Sequence, residues 1–492
     1  MHFSLIDKDP NMETSATTPA SASSRPLNWI AIVFFVLATN GPLTSLIGCV
    51  PYGVAYGNGI GIAGSYLCVG LIYLLFSVGF TAMSRHVRNA GALYAYVGQG
   101  LGRPAGVGAA FMAVASYFVI TLACYALLGF YISYFITSLT GIAVPWWLST
   151  LCAAAVVHVF AINNVQFNGA VLFLLMIIEI GLIVAFNIKV AATGGGVEHF
   201  SLAPLHPANV FTGKFGTSLV FVVVAYMGFE TTVIYANDVR NPGRSVPIAT
   251  YVSVAVIMAI YVVSTVQMSN AFGYAQVVAL AVKSPADLWF AVTERVLGKQ
   301  MVVVTNALLI TSMLAAIISF NNATVRYWYS LGRDGIAFKA LGQLSARKGL
   351  PIRAANMQSV IMIALIVVFA AYRVDPVMVI APYLSIPAAI GIVCVQALTA
   401  LAVIRFFAAR RERDTPFIRW AVFPAISFAG FGYFLYAMIG NVSLMAGTAS
   451  TIVSVLPWTT PAIAGVGAVF AAWLRHARPA VYTRLGAFLS EG

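Results

Sequence analysis

Two acidic residues stand inside long apolar runs, Glu179 in LLMIIEIGLIV and Glu230 in YMGFETTV. A carboxylate at membrane depth is expensive to keep charged, so it normally faces a cavity or a partner. No Lys or Arg lies within either run to supply one. Each acid is therefore a candidate to take up and release a proton, a protonated or water-bridged structural acid being the plainer reading. His158 stands alone in another apolar run and reads as a satisfied buried histidine rather than a proton relay. Asn306, Thr311, Ser312, Ser319, Asn321, Asn322 and Thr324 crowd a single run. Hydrogen bonding between helices and the lining of a cation or water path both fit such a cluster. Tyr117, in the third run, either lines the same site or packs.

Two runs are also interrupted. The first contains Asn40-Gly41-Pro42-Leu43-Thr44-Ser45-Leu46-Ile47-Gly48-Cys49-Val50-Pro51, and the sixth contains Ala225-Tyr226-Met227-Gly228-Phe229-Glu230-Thr231-Thr232. In a bilayer every backbone group needs an internal partner, so a broken spanning helix needs a reason. A proline kink with close packing at glycine is one reading. The other is an unwound segment, whose free N–H groups and half-helix dipole hold a carboxylate while free carbonyls hold an ammonium or a cation. The interruptions fall five runs apart, the spacing that two five-helix inverted repeats produce.

Other chemistry finds little material. There is no GxxxxGK[ST] loop, no HExxH and no nucleophile elbow, and the glycine-rich GNGIGIAGSY lies between two apolar runs rather than between a strand and a helix. ATP-driven work by this chain alone is unsupported. Two separated acids and one histidine are poor material for an enzyme, so no catalytic residue is assigned. The five cysteines, Cys49, Cys68, Cys124, Cys152 and Cys394, lie in apolar runs without CxxC spacing and read as small buried hydrophobes. No metal site and no cofactor are expected.

The elements that position these residues follow from composition. Of 492 residues, 61% are hydrophobic and 8% charged, against roughly 25% charged in soluble domains. A surface built from so few charges faces lipid. Twelve runs are long enough to be spans: 29–56, 62–84, 104–139, 146–162, 166–189, 215–237, 247–272, 300–330, 354–373, 377–404, 418–440 and 455–474. The net charge of +13 is a topology signal here and not a nucleic-acid footprint. With the N-terminus inside, all but six of the 27 Lys and Arg fall on the cytoplasmic side, the six being Lys189, Lys214, Lys283, Arg295, Lys299 and Arg373. That asymmetry favours an even number of spans with both ends cytoplasmic. Residues 1–28 read as a disordered cytoplasmic tail rather than a signal peptide, 29–475 as one membrane domain and 476–492 as a short cytoplasmic tail. Residues 85–103 are expected to form an interfacial or re-entrant helix and 331–353 a short cytoplasmic helix near headgroups. Residues 190–214 and 273–299 are expected to be outer loops.

The stretch GFETTVIYANDVRNPGRSVPIAT, residues 228–250, resembles the span 6 to loop pattern of the amino acid–polyamine–organocation (APC) permeases. GPLTSLIG at 41–48, MSRHVRNAGALYAYVGQGLGRPAG at 83–106 and the S-x-G-R-D-G element from Ser330 to Gly335 agree with it, in the right order from about residue 29 to 475. The resemblance implies an all-α integral membrane protein of twelve transmembrane helices. A LeuT-like 5+5 inverted repeat with two further C-terminal helices and alternating access come with it. It implies that Thr44, Ser45, Leu46, Ile47 and Gly48 form the span 1 break that receives a substrate carboxylate. Ala225, Tyr226, Met227 and Gly228 would form the span 6 break, whose carbonyls receive the amine. Val224 falls where many relatives place a gating aromatic, and Glu179 near a position where some carry a lysine. The chain departs further in having T-S-L-I-G for G-S-G-[IV]-F, Asn237-Asp238 for the acidic pair after span 6, and Phe338 where a proline is common.

The expectation is a permease of the cell membrane moving amino acids between spans 1, 3, 6 and 8 by proton-coupled symport or exchange. Glu230 and Glu179 are the proton-coupling candidates, and the partners are a small-molecule substrate, a proton and the lipid bilayer. An amine or polyamine transporter of the same fold is the alternative, which two acids support only modestly. A membrane-embedded sensor is the other, and the short tails lack an output domain.

Overall fold

The computed structural model describes residues 28–87, 93–163, 165–234, 239, 241–410 and 415–484. The expected disordered tail up to residue 27, Asn237, Asp238 and the last residues of the C-terminal tail lie outside them. Among the described residues the chain is helical, with connecting turns and no strand.

The first apolar run is in three pieces, α1 (Trp29–Asn40), α2 (Pro42–Gly48) and α3 (Val50–Tyr56). It is followed by α4 (Ile62–Ser84), α5 (Leu93–Leu101), α6 (Arg103–Thr140), α7 (Trp146–Ala161) and α8 (Val165–Ala192). A single turn, α9 (Pro207–Val210), leads to a second broken run, α10 (Phe215–Ala225) and α11 (Thr231–Ile234). Then come α12 (Pro242–Phe272), α13 (Tyr274–Lys283), α14 (Pro285–Leu297), α15 (Lys299–Arg333), α16 (Ile352–Ala371) and α17 (Ala381–Arg410). The last are α18 (Phe423–Gly440), α19 (Val442–Ala446), α20 (Thr451–Ala477) and α21 (Pro479–Arg484).

Ten helical segments among the described residues are long and apolar enough to cross a membrane, and the molecule is a multi-pass membrane protein. The other two expected spans are the 16-residue α7 and the broken α10–α11.

Local chemistry sets the helix ends. The Asn28 side chain accepts from the Ala31 N–H at 2.8 Å and starts α1. Pro42 and Pro51 lie in the first turns of α2 and α3, where a helix does not need their missing N–H. The Asp375 carboxylate accepts from Val377 and Met378 N–H at 2.8 and 2.7 Å and opens a π-turn leading into α17.

α6 packs against α17, α20, α15 and α7, while α4 packs against α12 and α18, and α1 lies along α8, α12 and α15. Aromatic rings fill the interior around the second break, with Tyr66, Tyr73, Phe76, Tyr226, Phe229 and Tyr261 fully buried. The outer faces expose Ile177 and Ile188 of α8, Val360 and Val367 of α16, and Val466, Val469 and Trp473 of α20, as lipid contact requires.

Several connections differ from expectation. Of the two forms expected for 85–103, interfacial or re-entrant, α5 does not take the interfacial one: Leu93, Tyr94, Ala95, Tyr96 and Val97 are buried, and it packs on α6 and α17. Residues 273–299 are not a loop but the helices α13 and α14, which pack on each other and on α3. Between the end of α15 at Arg333 and the start of α16 at Ile352, the basic stretch carries only a short 3-10 turn, Lys339–Gly342. Residues 190–214 carry two such turns and α9.

Candidate functional site

Gly41 separates α1 from α2 in the left-handed conformation, with φ of 54°, which glycine adopts without steric cost. The interruption between α1 and α2 is confined to that residue, and Cys49 separates α2 from α3. Thr44–Gly48, expected to be unwound, are helical: Ser45 N–H donates to Gly41 O at 2.9 Å and Cys49 N–H to Ser45 O at 2.8 Å. The cause lies in the sequence, since a proline directly after a left-handed glycine starts a helix at once.

The second break spans Tyr226 to Glu230, between α10 and α11. Ala225 closes α10, so this interruption starts one residue later than expected and takes in Glu230. Gly228 has φ of 107°, and a Cβ there would stand 2.6 Å from Thr39 Cγ2. The turn therefore presses directly on the end of α1.

Asn40 ties the two breaks together. Its Nδ2 donates to Ala225 O at 2.6 Å and to Met227 O at 3.2 Å, and its Oδ1 accepts from the Tyr261 hydroxyl. The Tyr261 hydroxyl also lies 3.1 Å from Ala225 O. Two of the carbonyls expected to receive an amine thus already accept hydrogen bonds from the chain. Gly228 O is likewise taken, by Thr231 Oγ1 at 2.7 Å.

Each break also holds a buried carboxylate. Glu230, 1% exposed, accepts from Tyr117 OH at 2.5 Å, from Gly228 N–H at 3.2 Å and from Gln396 Nε2 at 3.4 Å. Gln396 in turn accepts from Tyr73 OH at 3.1 Å. Glu179, 0% exposed, accepts from Leu43 N–H at 2.6 Å and from Ser312 Oγ at 3.0 Å. Thr44 Oγ1 donates to Ser312 Oγ at 2.9 Å. The Glu179 carboxylate therefore sits on the first turn of α2, where a half-helix favours negative charge, and its other oxygen, Oε2, is buried without a partner. Each carboxyl group therefore accepts both from a side chain and from a backbone N–H at a break.

The expected site residues divide accordingly. Thr44 and Glu179 join one network, and Tyr117, Gly228 and Glu230 the other. Ser45 donates to Asn40 O at 3.2 Å and Tyr226 OH to Tyr66 O at 2.7 Å. Leu46, Ile47 and Met227 are buried and Val224 is half-buried, whereas Gly48 is exposed. Of the polar cluster in α15, Ser312 reaches the site. Thr311 and Thr324 bond within their own helix, and Ser319 Oγ, Asn306 Oδ1 and Asn321 Nδ2 are buried without a partner. His158 bonds Ser359 Oγ at 2.9 Å and joins α7 to α16.

Residue types alone did not single out Asn40, Gln396 or Tyr261. Asn40 carried a signal, as an amide directly before Gly-Pro in an apolar run. Gln396 carried one too, as an isolated amide among apolar neighbours. An aromatic group of Tyr52, Tyr56 and Phe221, with ring centroids 6.1 to 6.5 Å apart, joins α3 to α10.

Residues 32–473 match the family described as amino acid permease. The chain belongs to that family. Over 313 residues it is 22% identical to the branched-chain amino acid permease BcaP of Lactococcus lactis subsp. cremoris, a match covering 59% of this chain and 64% of that one. Over 316 residues it is 27% identical to the gamma-aminobutyric acid permease of Bacillus subtilis, covering 61% and 64% respectively. The chain thus spans just under two thirds of the length of these relatives.

Proposed function

We propose that the chain is a secondary active permease that carries amino acids across the cell membrane by alternating access, as a proton-coupled symporter or an exchanger. Twelve spans, a 5+5 inverted repeat followed by two further helices, and cytoplasmic ends are part of this proposal. One observation carries it: two interrupted spans meet through Asn40, and each break presents a backbone N–H to a buried carboxylate. Family membership and the two permease relatives support the solute class.

In this reading the substrate's carboxylate approaches the span 1 segment Thr44–Gly48 and its amine the segment Ala225–Gly228, with Tyr117 and Val224 alongside. Glu230 is the coupling acid. Its proton weakens the hold of the carboxylate on Gly228 N–H and lets the second break move. Glu179 is the second proton site and governs the head of α2.

A second reading, an amine transporter of the same fold, draws on one feature. Glu179 already occupies the Leu43 N–H at the head of α2, where a substrate carboxylate would be seated. A thermal-shift screen of the purified protein against amino acids and amines separates the two. Stabilisation by an amino acid supports the leading reading, and a clear amine hit with no amino acid hit overturns it.

A further inference from the structure

A cavity of about 740 Å³ opens at the ends of α4, α12 and α18. Its lining brings together Arg85, His86 and Arg419. Both arginines are exposed, and no acidic residue lines the cavity among the described residues. The His86 ring is fixed in place, edge-on to Phe407 at 5.3 Å with Nδ1 3.1 Å from Ala82 O. Beside the bases, Tyr251 OH and Thr81 Oγ1 lie 3.1 Å apart. Apart from Thr415, the remaining wall is apolar, with Val78, Ala82, Pro247 and Phe423 among its residues. Further along, α12 and α18 expose Val263, Ile426 and Phe428.

We propose that this cavity binds the phosphate of an anionic phospholipid headgroup. Two guanidinium groups suit a phosphate diester, which each can grip in bidentate fashion. The place suits a lipid rather than a soluble anion. The bases stand where three membrane-crossing helices end, with apolar walls leading from them into the span for the acyl chains. Basic pockets between helix ends on the base-rich side of a membrane protein are suited to such headgroups. The site is separate from the carboxylate networks, so it bears on retention and stability in the membrane and not on the substrate.

The test compares the full chain in nanodiscs of phosphatidylcholine alone and of phosphatidylcholine with phosphatidylglycerol, by thermal unfolding and by native mass spectrometry of retained lipid. The wild type gains melting temperature and retains phosphatidylglycerol. The double variant Arg85→Gln/Arg419→Gln melts like wild type in phosphatidylcholine but loses the gain, and its phosphatidylglycerol affinity falls roughly 20-fold. The control Lys339→Gln/Arg347→Gln, on a different loop, keeps the gain. An unchanged gain in the double variant overturns the proposal, as does an equal loss in the control. Equal stabilisation by inorganic phosphate in lipid-free detergent overturns the lipid assignment in favour of a soluble anion.

Discussion

The carboxylate of Glu179 accepts a 2.6 Å hydrogen bond from the backbone N–H of Leu43, 136 residues earlier in the chain. A carboxyl group supplied by one span thus caps a helix that restarts in the middle of another. Glu179→Gln keeps an acceptor of the same shape and should cost about 1 kcal/mol, whereas Glu179→Ala leaves Leu43 N–H and Ser312 Oγ without that acceptor and should cost about 3 kcal/mol. Thermal unfolding in detergent measures both. Equal melting of the two variants would show that the carboxylate does not hold α2.

The Asn40 bridge makes a sharper demand. Asn40→Ala removes the donor to two buried carbonyls and should cost about 2–3 kcal/mol. Asn40→Asp sets an oxygen against Ala225 O at the present 2.6 Å and should be at least as damaging. A stable Asn40→Asp protein would mean that the breaks are joined by packing alone.

Gly228→Ala should destabilise by about 1–3 kcal/mol, from the positive φ together with the approach to Thr39. Adding Thr39→Ser removes the Cγ2 that lies 2.6 Å from the new Cβ and should restore part of the loss but not all of it, since the backbone strain persists. Complete rescue would assign the whole effect to crowding.

Sidedness is tested by cysteine labelling in a cysteine-free background, because Cys152 is exposed. Lys214→Cys and Lys283→Cys should react with an impermeant maleimide from outside intact cells, and Lys339→Cys and Arg347→Cys only after permeabilisation. The reverse pattern would invert the topology.

Much of this was legible in the sequence, for reasons that can be stated. The apolar runs set the spans, and the Gly-Pro pair and Gly228 marked the interruptions, because few other residue types end a helix at membrane depth. The length of the first interruption was not legible. Thr44–Gly48 inherited an unwound state from a glycine-rich family pattern that this chain does not carry, and Pro42 restarts the helix instead. Unpaired acids were visible at 179 and 230. Their partners were not, because a backbone N–H leaves no mark in the letters and Tyr117 and Gln396 are distant in the chain. For α5 the interfacial alternative fails, because the polar and small residues of YAYVGQG suggest an interface although its aromatic face is buried.

The central claim is that protonation at Glu230 drives the second break, and uptake by proteoliposomes across a range of external pH tests it most directly. Wild-type uptake should rise with an inward proton gradient, while Glu230→Gln, which keeps the side-chain shape and an oxygen acceptor, should bind substrate but lose the response to the gradient. Full gradient-dependent uptake by Glu230→Gln would contradict the account.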